Sequence, residues 1–228
     1  VSAVLDPVLV LEGARARDEA WAFDLAVLPG ELVLIQAGDP AQIRAFTDLC
    51  CGLMPAQEGK VRVLGRDLAE LVPDVARALR ARIGVVPAEG GWAPHLSVAD
   101  SILLPALFHR LASPAELRER ASELCRRFGL PGLPLERPDR MTGPDLARAA
   151  CARAFLMRPS LLLLENPLRG DSVPDLRLPL LDAIAAAREA GSVWLTTSLS
   201  IWSDRAIPAH RRFRLGVSGL QHVQRLAA

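Results

Sequence analysis

Short apolar runs separated by polar turns set the pattern of the chain. Runs at 8–11, 23–27, 31–35, 61–64, 83–86, 161–164 and 193–197 are about four or five residues long and rich in Val, Ile and Leu. Flanking Gly and Pro mark several of them as buried strands. Between them the period changes. Ile43, Phe46, Leu49 and Cys50 share one face of a helix, predicted over 43–51 and stopped at Gly52, with residues 36–42 as a polar loop before it. From 97 to 130 the pattern is helical. Ser113, Pro114 and Glu116 form a helix start, and Leu117, Ala121, Leu124 and Phe128 keep the 3.6-residue period. A proline-rich connection follows at 131–138, then helices at 147–157 and 176–190, and a closing hairpin at 212–223 around Gly216 and Gly219. Strands alternating with helices, each strand apolar throughout, predict a parallel sheet covered on both faces. The all-helical middle reads as an inserted subdomain.

Composition narrows the picture without changing it. The chain has 228 residues, half of them hydrophobic and 23% charged, which excludes a disordered tail and a small disulfide scaffold. This length accommodates one large domain. The net charge of +1 gives no basic footprint for nucleic acid. Lys60 is the only lysine, against 26 arginines, so chemistry that needs a lysine has one candidate. Cys50, Cys51, Cys125 and Cys151 form no C-x-x-C pair and read as buried thiols rather than metal ligands. No apolar run reaches bilayer-spanning length, and no charged-then-apolar leader opens the sequence.

The ordered punctuation is more specific. Gly52, Leu53, Met54 and Pro55 are followed by Gly59 to Val61, Leu64 to Leu68, Ile83 and Gly84, and Pro94 to Val98. Thr142 and Gly143, Arg148 and Arg153, and Pro159 and Pro167 complete the series. This order and spacing resemble an ATP-binding cassette of the ABC transporter family across nearly the whole chain. The resemblance implies an α/β, P-loop NTPase-like fold. Its parts would be a mostly parallel core sheet flanked by helices, an N-terminal antiparallel β part and an inserted α-helical subdomain. It divides a single domain, 1–228, into a core of 1–87 and 159–228 and a helical region of 88–158.

The same resemblance shows altered chemistry at each motif. A phosphate loop needs glycines to expose N–H groups, a lysine for the outer phosphates and a hydroxyl for magnesium. Here it reads Ala37, Gly38, Asp39, Pro40, Ala41, Gln42, Ile43, Arg44 and Ala45. Ile43 stands in the lysine position, Arg44 and Ala45 in the hydroxyl positions, and Pro40 removes an N–H. The rival stretch Gly52 to Lys60 feeds a strand, not a helix N-terminus, and is rejected. The adenine-stacking position falls in Ala14, Arg15, Ala16 and Arg17, which hold no ring; Trp21 is the nearest. Ala88 replaces the family's glutamine. The signature loop reads Met141, Thr142, Gly143, Pro144 and Asp145. Glu165 replaces the magnesium aspartate, Asn166 the catalytic glutamate and Ser198 the switch histidine. Asparagine does not accept a proton as a carboxylate does.

The resemblance therefore implies a catalytically inactive cassette-like subunit. Its expected partners are an integral membrane permease and a homo- or heterodimeric cassette, with no nucleic acid. No cofactor is expected, and ATP with Mg2+ only if the altered sites still bind. Its expected location is cytoplasmic, peripheral on the inner face of the cytoplasmic membrane. Two alternatives stay open: an unusual working ATPase in which Arg44 and Glu165 take altered roles, with a lipid or lipoprotein cargo, and a soluble interaction module. Glu89 and Trp92 are candidates for partner docking. His95 reads as a surface loop residue. Arg211, Arg212 and Arg214 read as a solvated basic face, with acidic lipid heads as the less common alternative.

Overall fold

A computed structural model describes residues 5–16, 21–169, 172–216 and 219–223. Strands β1 (Leu9–Arg15), β2 (Phe23–Val27) and β3 (Leu32–Gln36) lead into helix α1 (Pro40–Cys50). Then come β4 (Glu58–Val63), β5 (Arg66–Asp67), α2 (Pro73–Arg80) and β6 (Ile83–Val86). Three helices follow, α3 (Val98–Phe108), α4 (Pro114–Arg127) and α5 (Gly143–Leu156). The chain returns through β7 (Leu161–Glu165), α6 (Arg177–Ala186), β8 (Gly191–Thr196), α7 (Leu199–Ser203), β9 (Arg211–Gly216) and β10 (Gly219–His222).

Two sheets result. One is antiparallel in the order β2-β1-β4-β5. The other runs β10-β9-β3-β8-β7-β6, parallel except for the edge pair β9–β10. The unbroken apolar runs have a direct cause in this layout. In β3, Leu32 and Leu34 enter one core while Val33 and Ile35 enter the other; in β7, Leu162 and Leu164 oppose Leu161 and Leu163. Both faces are covered, so neither side of the strand is polar. One core lies under α3, α4 and α5; the other lies between the sheet, α1 and the antiparallel sheet. Alanines at 147, 149, 150, 152 and 154 let α5 sit close to β6. At Gly84 an added Cβ would lie 2.5 Å from the Ala154 carbonyl oxygen, so only glycine fits.

Several boundaries differ from the sequence reading. Helix α1 begins at Pro40, not Ile43, so the second half of the predicted polar loop is its first turn. Asp39 is its N-cap and Pro40 its first residue, a start signal that carries no apolar period. Helix α5 begins at Gly143 rather than 147, capped by Thr142. Helix α6 ends at Ala186, because Ala190 N–H bonds back to the Ala187 carbonyl and turns the chain into β8. Helix α2 went unpredicted; it buries only Ala76 and Leu79. The hairpin is present as β9 and β10, with 217 and 218 of its turn outside the described residues.

The basic run near the end is solvated only in part: Arg214 is exposed, while Arg211 and Arg212 are half-buried. Arg211 grips Glu31 and the Ala26 carbonyl oxygen, Arg212 donates to the Trp202, Asp204 and Ile207 carbonyls, and Arg214 lies over the Trp202 ring at 4.4 Å. These contacts fasten α7 and the β2–β3 turn to β9.

Candidate functional site

The C-terminal ends of β3, β7, β8 and β6 deliver most of the singled-out residues. Open parallel sheets bind ligands outside this edge. Residues 37–45 follow β3, Glu165 and Asn166 end β7, Ser198 follows β8, and Ala88 follows β6. Met141 to Asp145 belong to the loop and first turn of α5.

The phosphate-loop segment closes on itself. Gly38 N–H donates to Gln42 Oε1 at 2.7 Å, and Gln42 N–H donates to Asp39 Oδ1 at 3.0 Å. Pro40 supplies no N–H in the same turn. Ile43 is 1% exposed and belongs to the core beneath α1, so the lysine position holds a core side chain. Arg44 is exposed and ion-pairs Asp48 at 3.1 Å; with Asp48 it borders a groove beside α1. Ala41 and Ala45 add no polar side chain.

Helix α5 repeats the arrangement. Asp145 N–H donates to Thr142 Oγ1 at 3.2 Å, and that hydroxyl donates to Asp145 Oδ2 at 2.8 Å. Pro144 removes an N–H from the turn. Asp145 also accepts from Arg148, whose other nitrogen donates to Asp175.

The remaining positions are tied to structure. Asn166 Oδ1 accepts from Thr197 N–H at 2.9 Å and latches the end of β7 to the residue after β8. Asn166 holds φ at +42°, a conformation Asn tolerates better than most residues. Ser198 caps α7, its hydroxyl accepting from Ile201 N–H and meeting Ser200 Oγ at 2.8 Å. Glu165 is 2% exposed; Oε2 accepts from Ala88 N–H at 3.1 Å, while Oε1 has no partner.

Magnesium takes near-octahedral oxygen ligands, shared with waters and phosphates. Of the altered positions only Glu165 Oε1 offers a buried, unengaged oxygen. Among the described residues no group of three His, Cys, Asp or Glu could hold a metal. Beside that oxygen, Ile43 and Ala45 add no polar side chain.

The stretch that the resemblance aligns with adenine stacking is tied into the structure. Ala14 and Ala16 are fully buried, Arg15 pairs with Glu58, and Arg17 lies outside the described residues. Trp21 packs against the core beside α1. Lys60 is exposed on β4 of the antiparallel sheet.

Beside the loop lies a groove of about 410 Å³, lined by Arg44 and Thr47 of α1, Leu53, Pro87, and Leu104 of α3 among others. Leu53 and Leu104 are more than half exposed there, and Phe108 continues the apolar strip along α3. Neither Glu89 nor Trp92 lines it. Glu89 is exposed. Trp92 is half-buried under Arg153, whose guanidinium lies 4.3 Å from its ring and donates to the Gly90 and Gly91 carbonyls. Burial pulls the Arg153 guanidinium down to about 10, and it stays charged at neutral pH. Gly90, at φ +78°, leaves the space that the Trp92 ring fills. Sequence reasoning missed Asp39 as the N-cap of α1 and Gln42 as the acceptor for Gly38 N–H, although Asp-Pro before an apolar helix is a cap signature.

The ABC transporter family model matches residues 45–169, over half of the chain. The lipoprotein-releasing system ATP-binding protein LolD of Pseudomonas syringae pv. tomato is 31% identical over 68% of this chain and 69% of its own length. The chain belongs to the ABC transporter family. The molybdate/tungstate import ATP-binding protein WtpC of Archaeoglobus fulgidus is 35% identical over 54% of the chain, and the phosphonates import ATP-binding protein PhnC of Alcaligenes faecalis 32% over 63%. The chain spans about half the length of these two relatives, 48% and 55%. The dimeric bacterial ABC transporter cassette MJ0796 shares the fold, with TM-score 0.81 at 21% identity over 96% of this chain and 99% of that one. Its post-hydrolysis state, bound to ADP and Pi, gives 0.80 at 20% identity over the same shares. Among the described residues no helix of this family member is long and apolar enough to cross a membrane.

Proposed function

We infer that this chain is a cassette subunit without ATP hydrolysis, a structural or regulatory half that docks on an integral membrane permease. It pairs with a second copy or with an active cassette, on the inner face of the cytoplasmic membrane. The observation that carries this reading is the repeated self-capping of α1 and α5. At each helix start the amide of the third helical residue, Gln42 or Asp145, is taken by the cap side chain and a proline sits in the first turn. These are the two helix ends at which the resemblance places phosphate. A phosphate entering α1 must displace Gln42 Oε1 and Asp39 Oδ1, and it meets the Asp39 charge. Each displaced hydrogen bond costs about 1 kcal/mol.

The groove beside α1 supports docking. Exposed Leu53, Leu104 and Phe108 give it the apolar centre that interfaces use, with Arg44 on its border. A second reading, an ATPase with altered ligands, is favoured by one observation, the unpartnered Glu165 Oε1. Arg44 weighs against it, being paired with Asp48 and bordering the groove.

Thermal unfolding with and without millimolar Mg-ATP separates the two. A ligand at about 100 times its Kd stabilises by roughly 2.7 kcal/mol. For a chain of this size that raises Tm by roughly 5–10 °C. The proposed reading in its strongest form expects a cooperative melt with no shift; an upward shift of that size shows that the altered site binds nucleotide, and phosphate release above background in a coupled assay overturns the reading.

A further inference from the structure

The adjacent parallel strands β8, β7 and β6 have two ends. The motif residues occupy the C-terminal end. At the other end, Ala190, Ser160 and Arg82 each immediately precede a strand, and they line the floor of a second groove of about 660 Å³. A five-residue strand separates the two ends by about 16 Å, so this groove is distinct from the motif edge and from the groove beside α1.

Its chemistry is lopsided. Arg82, Arg120, Arg127, Arg158 and Arg188 line it, against two carboxylates, Glu123 and Glu189. Among the described residues none of the five arginines is ion-paired. Arg82 donates to Ser160 Oγ at 3.1 and 2.5 Å, and Arg120 to the Leu156 carbonyl at 2.7 Å, both neutral acceptors that fix the guanidinium without cancelling its charge. Among the described residues the side chains of Arg127, Arg158 and Arg188 make no such contact. The three come from the end of α4, the α5–β7 turn and the α6–β8 turn, so the fold gathers them from distant parts of the sequence.

The frame is fixed in advance. Ser160 N–H bonds to the Arg82 carbonyl at 2.8 Å, Gly191 N–H to the Ser160 carbonyl at 3.1 Å, and Gly30 N–H to the Ala190 carbonyl at 3.1 Å. A preformed frame spares a ligand the cost of ordering it. The floor between the arginines is apolar, with Phe155, Pro159, Ala183 and Ala190 buried and Leu124 half-buried. Guanidinium forks pair two-pronged with oxyanions, phosphate above all, and the volume suits a small molecule.

We propose that this groove binds a small molecule bearing several phosphate groups, at the end of the sheet opposite the family's nucleotide edge. The arginines hold the phosphates and the apolar floor takes any organic part.

The test is titration calorimetry of the full chain with inorganic tripolyphosphate, and in parallel with ATP, both without magnesium. The variant Arg158→Glu/Arg188→Glu is compared with Arg118→Glu/Arg137→Glu, whose exposed arginines lie outside the groove. Thermal melts establish that each variant is folded. The expected result is saturable binding of tripolyphosphate, weakened at least about tenfold by the groove variant and within about twofold of wild type in the control. Tighter binding of ATP that is lost in the same variant assigns an organic phosphate; equal binding assigns an inorganic one. No saturable binding of tripolyphosphate to the wild type, or equal weakening in both variants, overturns the site.

Discussion

Asn166 has a structural task that the structure shows directly. Its side-chain oxygen accepts from Thr197 N–H, a bond that ties two neighbouring strands at the motif edge. Asn166→Ala leaves that amide without its acceptor. The expected loss is about 1 kcal/mol, a Tm lower by roughly 2–4 °C in calorimetry. Asn166→Glu restores the family's carboxylate without restoring a lysine at Ile43 or a hydroxyl at Arg44. Phosphate release in a coupled assay is expected to stay at background for that variant, and measurable turnover would overturn the inactive reading. The cysteines lend themselves to a simpler prediction. Burial pushes the Cys51, Cys125 and Cys151 thiols up to about 12, and Cys50 well above its ordinary range. Thiolate is then scarce at pH 8, and thiolate is the reacting species. A thiol-colour assay should find all four free cysteines unreactive in the native protein and all four reactive in denaturant.

Helix starts carry the next level of the argument. Asp39→Ala and Thr142→Ala each remove an N-cap oxygen, at a cost of about 1 kcal/mol, so each variant should melt roughly 2–4 °C lower. If capping is the whole role of these side chains, neither variant acquires an ATP-dependent shift, because Pro40 and Pro144 still lack an N–H. The same helix starts mark what the sequence concealed. Apolar period located α1 from Ile43 onward and α5 from Ala147 onward, since these are the positions that enter the cores. The cap residues before them face solvent or their own backbone and leave no periodic trace. Strands β3, β7 and β8 were legible because burial on both faces removes every polar residue from the run. Helix α2 was not, because two buried residues are too few to set a period. At the motif edge the identities of the altered residues were readable one by one. That Gln42 plugs Gly38 N–H was not, since it depends on a side-chain direction. The arginine groove was out of reach for another reason: Arg82, Ser160 and Ala190 are neighbours only through strand order. The signal available was their shared place, one residue before each buried strand.

At the scale of the molecule, the two sheets and the end of the chain meet at Glu31. This carboxylate is 9% exposed, in the turn between β2 and β3. Arg211 of β9 donates to both its oxygens, at 2.5 and 2.9 Å, and Leu28 N–H donates to Oε2 at 3.0 Å. Arg211 also reaches the Ala26 carbonyl of β2, so one arginine joins the antiparallel sheet to the parallel one. Burial works to raise the Glu31 carboxyl. The Arg211 and Leu28 hydrogen bonds and the nearby charges of Arg211 and His210 outweigh it, and the net shift is downward. An ordinary glutamate titrates near 4.3. A carboxyl depressed in the folded state contributes its full stability above that ordinary value and loses it as pH falls through the lower, folded one. The expected consequence is specific to Glu31→Gln. At pH 7 the variant melts below wild type, because Arg211 is left partly buried without its counter-charge. As pH falls below about 4.3 the gap narrows, since the wild type loses this contribution to protonation and the variant has none to lose. Melting curves of both proteins across that range are the measurement. Parallel declines would mean that Arg211 holds the sheets through the Ala26 carbonyl alone, and that the Glu31 charge does not couple them.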